Sequence, residues 1–236
     1  MSADLLQADQ RRKRLTADIT HDLSTPLQII SGYIEMLEEG EATLTPRRIE
    51  IIKTEIEHLR RLVGDLTTLS QVETDGLEMQ IEPVRPAALL EKVYQAFEPI
   101  ARRQGVTLYL NAPGDIPPIK VDEGRMEQVI MNLLENALRY TPRGGRIELG
   151  AGADEHVRLW LKDSGAGIDP EDLPFVFDRF YRADKARAGG GKMGLGLAIS
   201  KALVIAQGGV ISAESSGKGQ GAAITIWFKI PAAGQG

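Results

Sequence analysis

The 236-residue sequence has no cysteine. Disulfides and thiolate metal sites are therefore excluded, and a reducing compartment fits. No apolar run approaches the roughly 20 residues of a membrane span, so no membrane segment is expected in this chain. No signal peptide opens it: Met1 to Arg14 is polar and ends in Arg11, Arg12, Lys13 and Arg14. That basic cluster reads either as a solvated helix face or as the point where a membrane anchor or sensor domain was removed. Net charge is only -5, which speaks against nucleic acid as the main partner. There is no internal repeat, and Gly189–Gly191 is too short for a low-complexity tract; it reads as a source of loop mobility. What is present is an apolar content of 42%, enough for a sizeable core in one large or two smaller domains.

The first third reads as helical. Leu15, Ile19, Leu23, Leu27, Ile30, Ile34 and Leu37 are spaced by threes and fours, one stripe of an amphipathic helix. His21 lies off that stripe and is expected to face solvent. Glu38 to Pro46 breaks the pattern, with Thr45 as N-cap and Pro46 in the first turn of a second helix. Its stripe is Ile49, Ile52, Ile56, Leu59, Val63 and Leu66, with heptad-like spacing. Ile29, Ile51, Leu62 and Leu69 widen these faces beyond what one partner helix covers. A two-fold dimer forming a four-helix bundle is the economical solution; the alternative is a hairpin packed on its own second domain.

After Thr74-Asp75-Gly76, a stop and linker, the period changes. Leu77, Met79 and Ile81 alternate as in a strand, as do Val106, Leu108 and Leu110. Further strands are expected at Ile119–Asp122, Ile147–Gly150, Val157–Lys162, Val210–Glu214 and Ile224–Phe228. Helices are expected at Pro86–Gln104, Glu123–Tyr140 and Leu195–Gln207. This interleaving describes an α/β two-layer sandwich, a mixed sheet with helices on one face.

Several segments carry chemistry. Ala17 to Leu27 sets His21 beside Asp22, with Thr25 a turn later, and an imidazole so flanked can carry a phosphoryl group. Asn132, Asn136 and Tyr140 recur every four residues opposite the apolar stripe of their helix, with Arg139 alongside. A neutral amide oxygen suits Mg²⁺, and arginine suits phosphate; an ordinary polar helix face is the plainer reading. Asp163-Ser-Gly-Ala-Gly167-Ile168 follows a strand. A carboxylate there can accept from an exocyclic amine such as adenine's, and glycines allow close approach of a base; otherwise it is a polar turn. Gly189 to Leu197 leads glycines into a helix N-terminus, where N–H groups can meet phosphates, although it lacks P-loop spacing. Pro174 to Arg182 is either a short amphipathic helix packing its phenylalanines or a basic cluster whose Arg179 or Arg182 reaches a γ-phosphate.

Taken together, these segments resemble the kinase core of a sensor histidine kinase of two-component signalling. His21-Asp-Leu-Ser-Thr-Pro26 is similar to the H box, Asn132 to Tyr140 to the N box, and Asp163 to Ile168 to the G1 box. Phe175 to Arg182 is similar to the F box, Gly194-Leu-Gly-Leu197 to the G2 box, and Gly217 to Gly221 to the final glycine turn. The resemblance implies a dimerisation and phosphotransfer hairpin over residues 1–75, a linker over 76–85 and a Bergerat-type ATP-binding domain over 86–236. It implies His21 as phosphoacceptor, Asp22 as the proton acceptor that keeps the attacking nitrogen nucleophilic, and Thr25 as the group that orients water when the partner is dephosphorylated. ATP is expected to meet Asn132, Asn136, Arg139, Tyr140, Asp163, Gly165, Gly167, Ile168, Tyr181, Arg182, Gly194, Leu195, Gly196 and Leu197. Asn136 would hold Mg²⁺, Asp163 would read adenine, and residues 169–193 would form a lid. Pro26 is expected to let the first helix bend, and Thr74–Pro86 to act as a hinge. The implied partners are a second copy of the chain and the receiver domain of a response regulator, and the implied place is the cytoplasm, as a soluble piece or as the inner portion of a membrane sensor.

Three positions depart from the common pattern: Gln207 where histidine is frequent, Ala222 where serine or threonine is, and Arg139 where lysine is. The competing readings are an ATP-hydrolysing machine of the gyrase and heat-shock chaperone superfamily, and a non-catalytic scaffold or phosphatase. The hydrolases usually place a glutamate where this chain has Asn132. His58 and His156 lack the flanking motif; His58 reads as solvated or interfacial and His156 as a turn residue.

Overall fold

The computed structural model describes residues 2–40, 43–74, 76–181 and 194–230, with the backbone alone for 2–18 and 73. Two long helices, α1 (Ser2–Glu38) and α2 (Pro46–Glu73), form the hairpin. Thr45 caps α2 as expected, its hydroxyl accepting from the Arg48 N–H at 3.3 Å, with Pro46 in the first turn. None of the described helices is long and apolar enough to cross a membrane.

The hairpin's apolar residues divide between two environments. Leu62 and Leu69 are buried, and with Ile19, Leu23 and Leu66 they join the core of the following domain. Leu27, Ile34 and Val63 are 52%, 46% and 55% exposed. The hairpin therefore does lean on its own second domain, through one side, while another apolar strip stays open.

The second domain runs β1 (Glu82–Val84), α3 (Pro86–Gln104), β2 (Thr107–Asn111), β3 (Ile119–Val121), α4 (Glu123–Tyr140), β4 (Arg146–Ala153), β5 (His156–Asp163), α5 (Gly196–Ala206), β6 (Val210–Glu214) and β7 (Ala222–Lys229). The main sheet has the order β2-β4-β5-β7-β6. Only the β2–β4 pair is parallel. The register sets Leu149 against Leu161 and Ala151 against Leu159, and Leu161 in turn against Ile224, giving one apolar face. On it pack α3, α4 and α5, with Leu90, Met126, Leu134 and Ile199 fully buried between the layers. This is the mixed sheet with helices on one side that the alternation of periods implies.

The strand expected at Leu77–Ile81 does not form. Leu77 and Met79 turn toward the core and Ile81 outward, but the Gln80 N–H is bonded to the Asp122 carboxylate at 2.9 Å instead of to a neighbouring strand. Alternation here records a half-buried extended segment without a ladder. Pairing starts one step later, where β1 runs antiparallel to β3.

Candidate functional site

His21 sits in the middle of α1 with 80% of its side chain exposed, as its place off the stripe requires. Its Nδ1 lies 3.1 Å from Asp22 Oδ1. Helix neighbours at i and i+1 ordinarily diverge, so this contact is supplied by the rotamers and not by the helix period. With Nδ1–H donating to the carboxylate, Nε2 keeps its lone pair toward solvent. The Thr25 hydroxyl is exposed and donates to the His21 carbonyl at 3.1 Å. Pro26 has no N–H, so the Asp22 carbonyl lacks its helical donor. His58 is not solvated: only 17% of it is exposed, Glu55 lies 3.7 Å from its Nδ1, and its buried Nε2 has no hydrogen-bond partner. His156 opens β5.

The remaining candidates among the described residues lie where α4, α5 and two glycine turns meet. Asp122 caps α4, accepting from the Arg125 N–H at 2.9 Å. Seven apolar side chains on one flank of α4 are buried, which turns Asn132 and Asn136 to the half-buried opposite flank. Among the described residues the buried Asn132 Nδ2 has no hydrogen-bond partner, a donor with capacity for a further acceptor. Beside it, a Cβ at Gly196 would stand 3.9 Å from Asn132 Cγ. Gly196 opens α5, and Leu195 before it provides no side-chain cap, leaving the first N–H groups of α5 for an anion. Leu195 itself is buried. Tyr140 is exposed, with the Arg139 guanidinium 5.8 Å from its ring centre.

Asp163 ends β5 half-buried. Burial raises its pKa above the ordinary 3.8, although the backbone N–H groups of Gly165 and Ala222 pull the other way. The Gly165 bond is 2.8 Å long. The turn it starts is pressed backbone to backbone against the β6–β7 turn. Gly167 has φ 68°, and a Cβ there would lie 2.1 Å from the Gly217 carbonyl oxygen, so only glycine fits. The Ile168 N–H is bonded to Ser215 Oγ at 3.0 Å. Asp169, one residue on, pairs with Lys218 at 3.1 Å.

The segment after Asp169 is partly ordered by its own chemistry. Tyr181 donates to Asp172, which pushes its phenol up to about 12 and keeps it protonated at neutral pH. The Phe175 and Tyr181 rings meet at 5.7 Å. Phe180 adopts φ 61°, unusual for a bulky residue, and its N–H reaches the Gly194 carbonyl at 3.2 Å. This brings the F-box and G2-box segments side by side. Arg182 and Gly189 to Met193 lie outside the described residues.

Two residues do more than their sequence context indicated. The Gln207 amide accepts from the Asp122 N–H at 2.7 Å and donates to the Leu203 carbonyl at 2.9 Å. It fastens the end of α5 to the start of α4, a polar bridge at the position where the family pattern often has histidine. Ser215 lies outside every segment singled out above; two positions ahead of a glycine turn, a serine carries no periodic signal.

Residues fit to hold magnesium are few: among the described residues no group of three histidine or acidic side chains is placed to take a metal. One amide oxygen, as Asn136 offers, would suit a cation that draws its other ligands from phosphate and water.

A mixed sheet flanked by an asparagine-bearing helix and a glycine-led helix defines an ATPase-type nucleotide-binding domain. The family model described as histidine kinase-, DNA gyrase B- and HSP90-like ATPase matches residues 121–232, and the His Kinase A phospho-acceptor model matches residues 11–75. Carrying both, the chain belongs to the sensor histidine kinases of two-component signalling. It is 36% identical to the sensor histidine kinase WalK of Bacillus subtilis over 94% of this chain and 37% of WalK. It is 38% identical to the signal transduction histidine-protein kinase BaeS of Escherichia coli over 96% of this chain and 48% of BaeS. The chain thus spans half or less of the length of these relatives. Among solved structures it resembles the Acinetobacter baumannii histidine kinase AdeS, with TM-score 0.75 and 29% identity over 89% of this chain and 98% of that one. It also resembles ShkA, solved with AMPPNP, with TM-score 0.67 and 28% identity over 92% of this chain and 46% of ShkA. ThkA, solved with the response regulator TrrA, shares the fold at TM-score 0.69 and 22% identity over 96% of this chain and 66% of ThkA.

Proposed function

We propose that this chain is an ATP:protein-histidine phosphotransferase acting as a homodimer, phosphorylating His21 and passing the phosphoryl group to an aspartate of a response-regulator receiver domain. The observation that carries it is the exposed imidazole whose Nδ1 is 3.1 Å from Asp22, in a chain that also builds a nucleotide site. Asp22 holds the proton on Nδ1, leaving Nε2 as nucleophile. The Nε2 lone pair forms the bond to the γ-phosphorus as the bond to the β,γ-bridging oxygen breaks and ADP leaves with that electron pair. Asp22 takes the Nδ1 proton as positive charge builds on the ring. A receiver aspartate oxygen then displaces the imidazole.

In the nucleotide site Asp163 accepts from the adenine amine. Asn132, Arg139, Tyr140 and the start of α5 face the phosphates, Arg182 is assigned to them by the F-box resemblance alone, and Gly165, Gly167, Ile168, Tyr181, Gly194, Leu195 and Leu197 shape the walls. Magnesium held by Asn136 would supply charge neutralisation along the phosphate chain. Asn132 provides no base to activate water, which favours transfer to His21 over hydrolysis. Thr25, a turn from His21, is placed for a second activity, dephosphorylation of the partner. ShkA with its ATP analogue and ThkA with its regulator are consistent with both ligands. Residues 1–75 serve dimerisation and phosphotransfer, 76–85 link, and 86–236 bind ATP; the open strip of Leu27, Ile34 and Val63 is what a second copy covers. The basic segment ahead of His21 fits a cytoplasmic portion that follows a membrane sensor.

The test is γ-labelled ATP with wild type and His21→Gln. Acid-labile, base-stable label is expected on wild type alone; equal label on the variant overturns the reading.

A further inference from the structure

Ser215 stands at the end of β6, outside every motif, with one half-buried hydroxyl that all its neighbours use. Its Oγ accepts from the Ile168 N–H at 3.0 Å and from the Gly217 N–H at 3.3 Å, and donates to the Gly221 carbonyl at 2.6 Å. A hydroxyl has one proton to give and two lone pairs, so its capacity is filled. The three partners belong to two different turns: Ile168 closes the turn begun by Asp163, while Gly217 and Gly221 bound the turn between β6 and β7. Backbone bonds from Gly219 to Ala166 at 2.6 Å and from Gly221 to Gly165 at 3.2 Å join the same turns. At Gly167 and Gly221 no side chain stands between them as a spacer. A Cβ at Gly221 would lie 2.0 Å from the Asp163 carbonyl oxygen, and one at Gly167 would lie 2.1 Å from that of Gly217.

Where two backbones meet this closely, the bonds between them set their separation: Ser215 contributes the one from the Ile168 N–H, while its bonds with Gly217 and Gly221 brace its own turn. The Asp163 carboxylate accepts from the N–H of Gly165 in the first turn at 2.8 Å and is favoured by that of Ala222 just after the second. We propose that Ser215 is the positioning residue of the base pocket: it holds the two glycine turns in register so that the Asp163 carboxylate points at the exocyclic amine of adenine. It touches no substrate. This rests on the assignment of Asp163 to adenine made above. It also accounts for a tolerated Ala222, since the hydroxyl that aligns the turns comes from the other strand.

The test compares, for the whole chain, the affinity for ATP and for purine riboside triphosphate, which lacks the amine. Wild type is expected to prefer ATP at least tenfold. Ser215→Ala is expected to weaken ATP about tenfold while leaving the amine-free nucleotide within twofold, bringing the preference close to one. Ser215→Thr, which keeps the hydroxyl, should restore the preference, and Ser215→Cys, which keeps the bulk but donates weakly, should not. A merely structural serine would weaken both nucleotides together or lower only the melting temperature. Either result, or an unchanged preference in the alanine and cysteine variants, overturns the proposal. A wild type that shows no preference removes the Asp163 assignment, and this inference with it. If the alanine variant does not fold, the cysteine and threonine pair decides.

Discussion

The two regions of this molecule solve the burial problem differently. In the α/β domain the core is sealed: Leu90, Leu134 and Ile199 lie fully buried between sheet and helices, and the candidate site lies at the rim in glycine turns and helix ends. In the hairpin, two helices share an apolar face too wide for one contact. Part of it is spent on the α/β core through Leu62 and Leu69, and the remainder stays bare at Leu27, Ile34 and Val63. A closed domain can hold a nucleotide in one fixed geometry. A half-covered hairpin can exchange contacts, a freedom that the proposed transfer from ATP through His21 to a receiver domain requires.

The sharpest cut between the regions is His21→Gln. It should abolish phosphorylation while ATP affinity, measured by calorimetry, stays within twofold, because the imidazole belongs to the hairpin alone. In the opposite region, Leu134→Ala should cost about 2–5 kcal/mol in a urea melt, the price of a cavity in a sealed layer. Asn136→Ala should lower the autophosphorylation rate at saturating ATP on the order of a hundredfold with the melting temperature nearly unmoved; an equal loss of stability would make Asn136 structural. Val63→Glu puts a charge on the bare strip. It should shift the sedimentation profile toward monomer and leave ATP affinity unchanged, and a persistent dimer would place the interface elsewhere.

The smallest effect is one of pH. On the proposed assignment Asp163 accepts from the adenine amine more strongly as carboxylate than as acid, and burial holds its pKa above the ordinary 3.8. ATP affinity should therefore fall on acidification at a higher pH than a solvated aspartate would produce. The same shift carries a sign for stability. The folded state keeps this proton more tightly than the unfolded chain, so its contribution diminishes as pH rises through the window above 3.8. A titration by fluorescence binding and thermal melts between about pH 4 and 7 reads both.

Much of this was legible in the chain. Stripes at three and four foretold α1, α2 and α4 because a helix face that must be buried imposes its period, and Thr45-Pro46 marked the start of α2 to the residue. That Asn132 and Asn136 share the flank opposite the buried stripe of α4, and that Asp163 ends a strand, was readable because such positions repeat with the helix turn or follow an alternating run. The Leu77–Ile81 segment misled, since alternation records which side chains face the core and is silent about whether a neighbouring strand is there to pair. The second role of Gln207 was hidden for a related reason: its partner, Asp122, lies far away along the chain.

Local order was thus set by sequence alone: helix periods, caps and the adjacency of His21 and Asp22. Tertiary structure decided what those pieces touch. Which hairpin residues are covered, which serine aligns the base pocket and which carboxylate is lifted by burial all depend on groups distant in sequence meeting in space. Hydrogen bonding and desolvation act over a few ångströms, and no linear pattern records that distance.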